Sequence, residues 1–184
     1  MINFLKKCLS RLALWLRVLR NFRGLTLRSV INLYPSALVD SLLYAFPGTP
    51  FNPRLVLKGL CFYKVKDVGL VIVRGGTDDF YYLIPRREGD VEEFIRSYLR
   101  NGSVFVDVGA NIGYYTLIAS KLVGSQGRVY SVEPIPSTAM ILRANVRLND
   151  CSNVAIYEAA AWSSRGALTL RMPKEWYGLT LHCA

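Results

Sequence analysis

The chain has 184 residues, 52% of them hydrophobic and 20% charged, which is apolar enough to fill a core and excludes intrinsic disorder. Its net charge of +10 is uneven, because Lys6, Lys7, Arg11, Arg17, Arg20, Arg23 and Arg28 all precede the first acid, Asp40. Cys8, Cys61, Cys151 and Cys183 are widely separated and the lone His182 stands near the end of the chain, so no metal site, disulfide framework or histidine-based triad is indicated, and reduced thiols in a cytoplasmic setting are expected.

In residues 1–48, Leu5, Leu9, Leu12, Leu16 and Leu19 recur at steps of three and four, which predicts an amphipathic helix with its basic residues elsewhere around the wheel. Two fates suit such a leucine stripe: burial against the body of the protein, or insertion into a membrane interface. The basic arm over residues 1–23 likewise suits an anionic membrane surface, less readily nucleic acid, or is simply a solvated face. The short apolar run between Arg11 and Arg17 is followed by no small-residue cleavage site, so it does not read as a signal peptide, and no stretch reaches the roughly 20 apolar residues of a membrane span. A cytoplasmic protein, soluble or peripheral to a membrane, is the expectation.

Gly48, Pro50 and Pro53 end that pattern. Within residues 49–89, Leu70–Val73 and Phe80–Leu83 read as two strands of a small hairpin around the turn Gly75-Gly-Thr-Asp-Asp79, with 85–89 as a polar linker. From residue 90 the period changes. A helix over 91–99 leads to the turn Asn101-Gly102, then a buried strand at Ser103–Val108, a helix at Ile112–Leu122, a strand at Arg128–Glu133, a helix at Ser137–Leu148 and a strand at Val154–Ala159, with a further strand at Ala167–Arg171. Such alternation predicts an α/β fold with parallel strands joined by right-handed crossovers.

The run Val104-Phe-Val-Asp-Val-Gly-Ala-Asn-Ile-Gly-Tyr-Tyr-Thr116 is an apolar strand that ends in an acid and a glycine-bearing turn opening a helix. Gly109 permits the sharp turn and Gly113 a close helix start, so a flat adenosyl group can approach main chain at the strand's carboxyl end. Glu133 ends the next strand 24 residues after Gly109, a spacing that brings its carboxylate beside the loop, where it can accept from both hydroxyls of a ribose; a solvated strand-end carboxylate is the bland alternative. A dinucleotide fingerprint would need glycines at 111 and 114, where the chain has Asn111 and Tyr114. S-adenosylmethionine (SAM), which carries no phosphate, does not need them.

Those motifs, followed by Gly124-x-x-Gly127-Arg-Val129, Glu133-Pro134 and Asn145-x-x-Leu148-Asn149, resemble the FkbM-type methyltransferases over roughly residues 90–170. The resemblance implies a class I, Rossmann-like, SAM-dependent methyltransferase acting on a hydroxyl of a sugar or small natural product. By the same resemblance Asp107, Gly109, Asn111 and Gly113 line the methionine side of SAM, Glu133 holds the ribose, and Ala160, Ala161 and the turn Ser163-Ser-Arg-Gly166 pass near the adenine, unless that turn is an ordinary loop. Asn149 reads equally as a helix cap. No general base is assigned: Asp107 belongs to the cofactor shell, and Asp150 and Glu158 are as well explained as surface charges. The family continues with an Asp-x-Glu-Gly strand, whereas no Asp follows residue 150 before Ala184. The expectation is therefore residues 90–184 as the N-terminal half of a methyltransferase domain, an incomplete sheet whose acceptor site is supplied elsewhere or by a complementing or identical chain. The competing readings are a catalytically silent remnant and a basic adaptor for membrane or nucleic acid.

Overall fold

The computed structural model describes residues 2–44, 52–164, 166, 167 and 169. The chain divides into two compact units, one formed by Met1–Lys66 and Leu70–Arg87 and the other by Asp67–Gly69 and Glu88–Ala184. Most of the strand expected at Ala167–Arg171, namely Leu168, Leu170 and Arg171, lies outside the described residues, as do His182 and Cys183.

The first unit contains helix α1 (Ile2–Asn21), strand β1 (Phe22–Gly24), helix α2 (Leu27–Leu43), strands β2 (Gly59–Val65) and β3 (Gly69–Gly75), and a short helix α3 (Asp79–Tyr82). The strands form one sheet in the order β1-β2-β3, with β1 antiparallel to β2. Its core is aromatic. Trp15 stacks on Phe80 with ring centroids 5.5 Å apart, and Phe22 packs on both Phe80 and Tyr63.

One expectation changes here, and one of the two fates open to the α1 leucines is set aside. The hairpin pairs β2 with β3, and Phe80–Leu83 is not its second strand. Arg74 clamps Asp79 through its main-chain N–H and its guanidinium, at 2.7 to 3.1 Å, which folds the chain back into a helical turn. Phe80, Leu83 and Ile84 are the buried apolar residues there, a spacing of three and four that suits a helix and defeats a strand. The leucine stripe of α1 is not buried either: Leu9, Leu12 and Leu16 stay 56%, 50% and 45% exposed. The face that packs inward carries Arg11, Trp15 and Val18. Arg11 is only 4% exposed because Asp40 of α2 receives it bidentately, at 2.5 and 2.7 Å, while also accepting from Trp15 Nε1 at 2.6 Å. A paired, hydrogen-bonded charge tolerates burial where a lone one does not.

Helix α2 is inside out. Its buried face is mostly polar, with Ser29, Asn32 and Ser36 beside Leu33. Asn32 Oδ1 accepts from the Leu57 N–H and its Nδ2 donates to the Leu57 carbonyl, while Ser36 and Ser29 hydroxyls accept from the N–H groups of Val56 and Phe62. These side chains satisfy main-chain groups that no helix or strand partner reaches.

The second unit contains α4 (Gly89–Tyr98), β4 (Val104–Val108), α5 (Tyr114–Val123), β5 (Arg128–Val132), α6 (Pro136–Leu148) and β6 (Val154–Tyr157). Its strands are parallel in the order β4-β5-β6, with Val108 opposite Val132 and Val132 opposite Tyr157. This is a partial Rossmann-like sheet, as expected. One face buries Val129 with Ala119 and Val123 of α5, and Phe105, Leu99 and Val154 pack around them. On the other face Val104, Val106 and Val108 are exposed, so β4 alternates instead of being buried throughout. All three strands are laid down in one direction across the sheet, and right-handed crossovers then put both helices on the same side. Among the described residues no helix is long and apolar enough to cross a membrane.

Candidate functional site

The site is built at the carboxyl edge of the second sheet, where β4, β5 and β6 end in register. Gly109 takes φ +78° and Asn111 φ +51°, left-handed conformations that Gly adopts freely and Asn tolerates. Gly113 sits at φ +101° as the residue capping α5, and a β-carbon there would lie 2.6 Å from Leu142 Cδ1. Its absence lets α5 and α6 close on the loop.

Every main-chain N–H of the loop is used inside the protein. Gly109 and Ala110 both donate to the Val132 carbonyl, at 2.9 and 3.0 Å, and Gly113 donates to the Ala110 carbonyl at 2.9 Å. Asn111 donates its N–H to Glu133 Oε2 at 2.9 Å, and its own Oδ1 accepts from Ile112 at 2.8 Å. An anion-binding loop would aim those donors outward at a phosphate. This one suits a ligand whose nearby part has no phosphate.

Glu133 is 4% exposed. Besides Asn111 it receives the Ile135 N–H on Oε1 at 3.0 Å, so the carboxylate ties the β4 loop to the start of α6. The sequence reading assigned both oxygens to a ribose and missed this anchoring role. A carboxylate oxygen offers two acceptor positions, so the two roles are compatible. Asp107 is buried behind the loop and its Oδ2 accepts from Thr116 Oγ1 at 2.6 Å, with Ser131 Oγ 2.8 Å from the same hydroxyl. Burial pushes the Asp107 carboxyl above its ordinary range, and the Thr116 hydrogen bonds partly oppose that shift. Ala160 lies half-buried in the segment after β6, on the same edge.

Residues that the sequence motifs contain, of which only Asn149 carries a role assigned from sequence, hold this arrangement from behind. Asn145 of α6 is fully buried and donates through Nδ2 to the Ile112 carbonyl at 2.8 Å. Its signal was an amide among the inward-facing Ala139, Leu142 and Val146. Tyr114 and Tyr115 at the start of α5 donate to Glu92 and Glu88, each at 2.8 Å, joining α5 to the α4 region. Asn149 is the C-cap of α6 and donates through Nδ2 to the Asn145 carbonyl at 2.7 Å. Among the described residues no group of three His, Cys, Asp or Glu could hold a metal ion.

Residues 83–164 match the family model of the protein-L-isoaspartate(D-aspartate) O-methyltransferases. Over these residues the chain is similar to SAM-dependent methyltransferases. The chain is 38% identical over 58 residues to the protein-L-isoaspartate O-methyltransferase of Methanothrix thermoacetophila, an alignment covering 32% of this chain and 28% of that relative. It is also 38% identical over 60 residues to the probable cobalt-precorrin-6B C(15)-methyltransferase (decarboxylating) of Sulfolobus acidocaldarius, covering 33% and 31%. Among solved structures, the precorrin-6y C5,15-methyltransferase of Geobacter metallireducens GS-15 aligns at 27% identity and a TM-score of 0.37, over 42% of this chain and 40% of that one. The chain thus spans about 30% of the length of the curated relatives it matches. The matching model is not of the FkbM type that the motif order resembles.

Proposed function

We propose that the carboxyl edge of β4–β6 binds SAM and that the protein transfers its methyl group to an oxygen acceptor. The observation that carries this reading is the loop 109–113: it is open where Gly109 lacks a side chain, has all its amides engaged, and is latched to Glu133. Bound there, SAM supplies a sulfonium-activated methyl group for in-line displacement. The work of the chain is to hold and orient it and to keep water out. Gly109 and Asn111 face the methionine side, Gly113 allows the close helix start, and Asp107 stays fixed below through Thr116 and Ser131. The Glu133 carboxylate takes the ribose hydroxyls while anchoring the loop, and Ala160 borders the adenine.

The acceptor reading rests on similarity alone. The FkbM-type motif order supports a hydroxyl on a glycan or a small natural product. The isoaspartate O-methyltransferase match supports a second reading, a carboxylate oxygen on a polypeptide. Radiolabelled methyl transfer into fractionated cell extract separates the two by the chemical class that becomes labelled. Calorimetric titration of the full chain with SAM, its demethylated product and NAD tests the cofactor assignment. Binding of the first two and not of NAD is expected. A folded chain that ignores SAM at millimolar concentration overturns the assignment, and SAM binding without any labelled product favours a catalytically silent remnant.

A further inference from the structure

The first unit carries two apolar helix faces that its own core does not use. Projected at about 100° per residue, Leu9, Leu12 and Leu16 of α1 fall within an arc of about 60°, and the exposed Arg20, Lys6 and Arg17 occupy the arc directly beside them. On α2 the exposed Leu27, Ile31, Tyr34, Leu38 and Leu42 share an arc of about 80°, opposite the largely polar face that docks on the strands. Burying the polar side of a helix and exposing its apolar side reverses the arrangement of a helix on a water-soluble core.

Charge identifies what covers these faces. Across residues 1–44 seven cations stand against one acid, Asp40, and that acid is consumed by Arg11 and Trp15. The same unit contains a cavity of about 290 Å³ with four arginines on its lining, Arg11, Arg17, Arg86 and Arg87, beside Tyr44 and Tyr81. Among the described residues no carboxylate lines it. Arg11 lies over the Tyr44 ring at 4.1 Å and Arg87 over the Tyr81 ring at 5.1 Å, so two of the four cations are held by aromatic faces. Arg17 belongs both to this lining and to the cationic arc beside the leucines. Apolar side chains flanked by cations, next to an arginine-lined cavity, match an acidic phospholipid surface: acyl chains for the leucines, headgroup phosphates for the arginines.

We infer that the first unit docks on anionic membranes through the leucine and cation face of α1 and the apolar stripe of α2, with a lipid phosphate seated in the Arg17 cavity. The test is flotation of the full chain with vesicles of equimolar phosphatidylglycerol and phosphatidylcholine, compared with phosphatidylcholine alone. Binding only to the acidic vesicles is expected. Each basic side chain near an acidic surface strengthens binding about fivefold, so Lys6→Gln/Arg17→Gln/Arg20→Gln should weaken it on the order of a hundredfold. Ile31→Asn/Leu38→Asn leaves every charge in place and should weaken it by about tenfold or more. These positions are exposed, so circular dichroism should show both variants folded. Excess soluble glycerol phosphate should not displace the chain, because it offers nothing to the leucines. Failure of the wild-type chain to float, flotation insensitive to both variants, or displacement by glycerol phosphate overturns the inference. So does a discrete dimer that Ile31→Asn/Leu38→Asn dissolves while vesicle binding is absent.

Discussion

Gly113→Ala and Gly109→Ala impose the same chemical change on one loop but should differ severalfold in cost. Both glycines have positive φ, +101° and +78°, so each alanine incurs a left-handed penalty of about 1–2 kcal/mol. Part of that is offset because alanine restricts the unfolded chain, by about 0.4–1 kcal/mol. At Gly109 a β-carbon meets nothing within 4 Å, and the net loss should be about 1 kcal/mol. At Gly113 the β-carbon arrives 2.6 Å from Leu142 Cδ1, and Leu142 is fully buried. Overpacking of that kind adds about 1–3 kcal/mol, for a total of about 3 kcal/mol. Urea unfolding followed by amide exchange in β4 and α5 reads the second unit alone. A double-mutant cycle with Leu142→Val should recover part of the Gly113→Ala loss and none of the Gly109→Ala loss. Equal losses for the two alanines, or no coupling to Leu142, would refute the account of why α5 begins where it does.

Glu133→Gln replaces one accepting oxygen with a donor, leaving the Asn111 or Ile135 N–H without its partner; a loss of about 1–3 kcal/mol and at least tenfold weaker SAM binding are expected, by melting and calorimetry. Asp107 has a raised carboxyl pKa in the folded state, so the stability it contributes is full below the unfolded value of 3.8 and is lost as pH rises through the folded one. Asp107→Asn keeps an acceptor for Thr116, and its stability relative to wild type should therefore rise from acid toward neutral pH; a flat difference across that range would show that burial is not the cause. Asp40→Ala leaves the guanidinium of Arg11 buried without its carboxylate, and thermal unfolding should report a loss of about 3–5 kcal/mol.

The second unit was legible because its signals are local. An apolar run, a glycine turn and an acid at the next strand end name their own positions, and parallel strands follow from the alternation. Less visible was what lies behind the ligand. That Glu133 is claimed first by Asn111 and Ile135, or that Asn145 reaches the Ile112 carbonyl, depends on how α6 packs across the loop. The first unit misled for a different reason. Periodicity finds the apolar face of α1 but carries no information on whether that face meets core or solvent, and the buried Arg11 is stable only because Asp40 arrives from a residue 29 positions away. Phe80–Leu83 was mistaken for a strand because a short aromatic run fits either period, and the Arg74–Asp79 clamp that decides it is a side-chain contact.

The order β4-β5-β6 also governs how the second unit comes into being. Each strand pairs with the one made just before it across a crossover that carries a whole helix, and parallel pairing of that kind is slow and leaves apolar surface open while it completes. Its valine face stays open even when pairing is complete. From the moment the third strand docks, Val104, Val106 and Val108 present a flat, neutral, β-branched row to the solvent, and encounters between newly folded copies at micromolar concentration become productive. Chain yield should then be set by the concentration at which folding occurs, with dilute or slow synthesis favouring monodisperse protein over any gain in intrinsic stability.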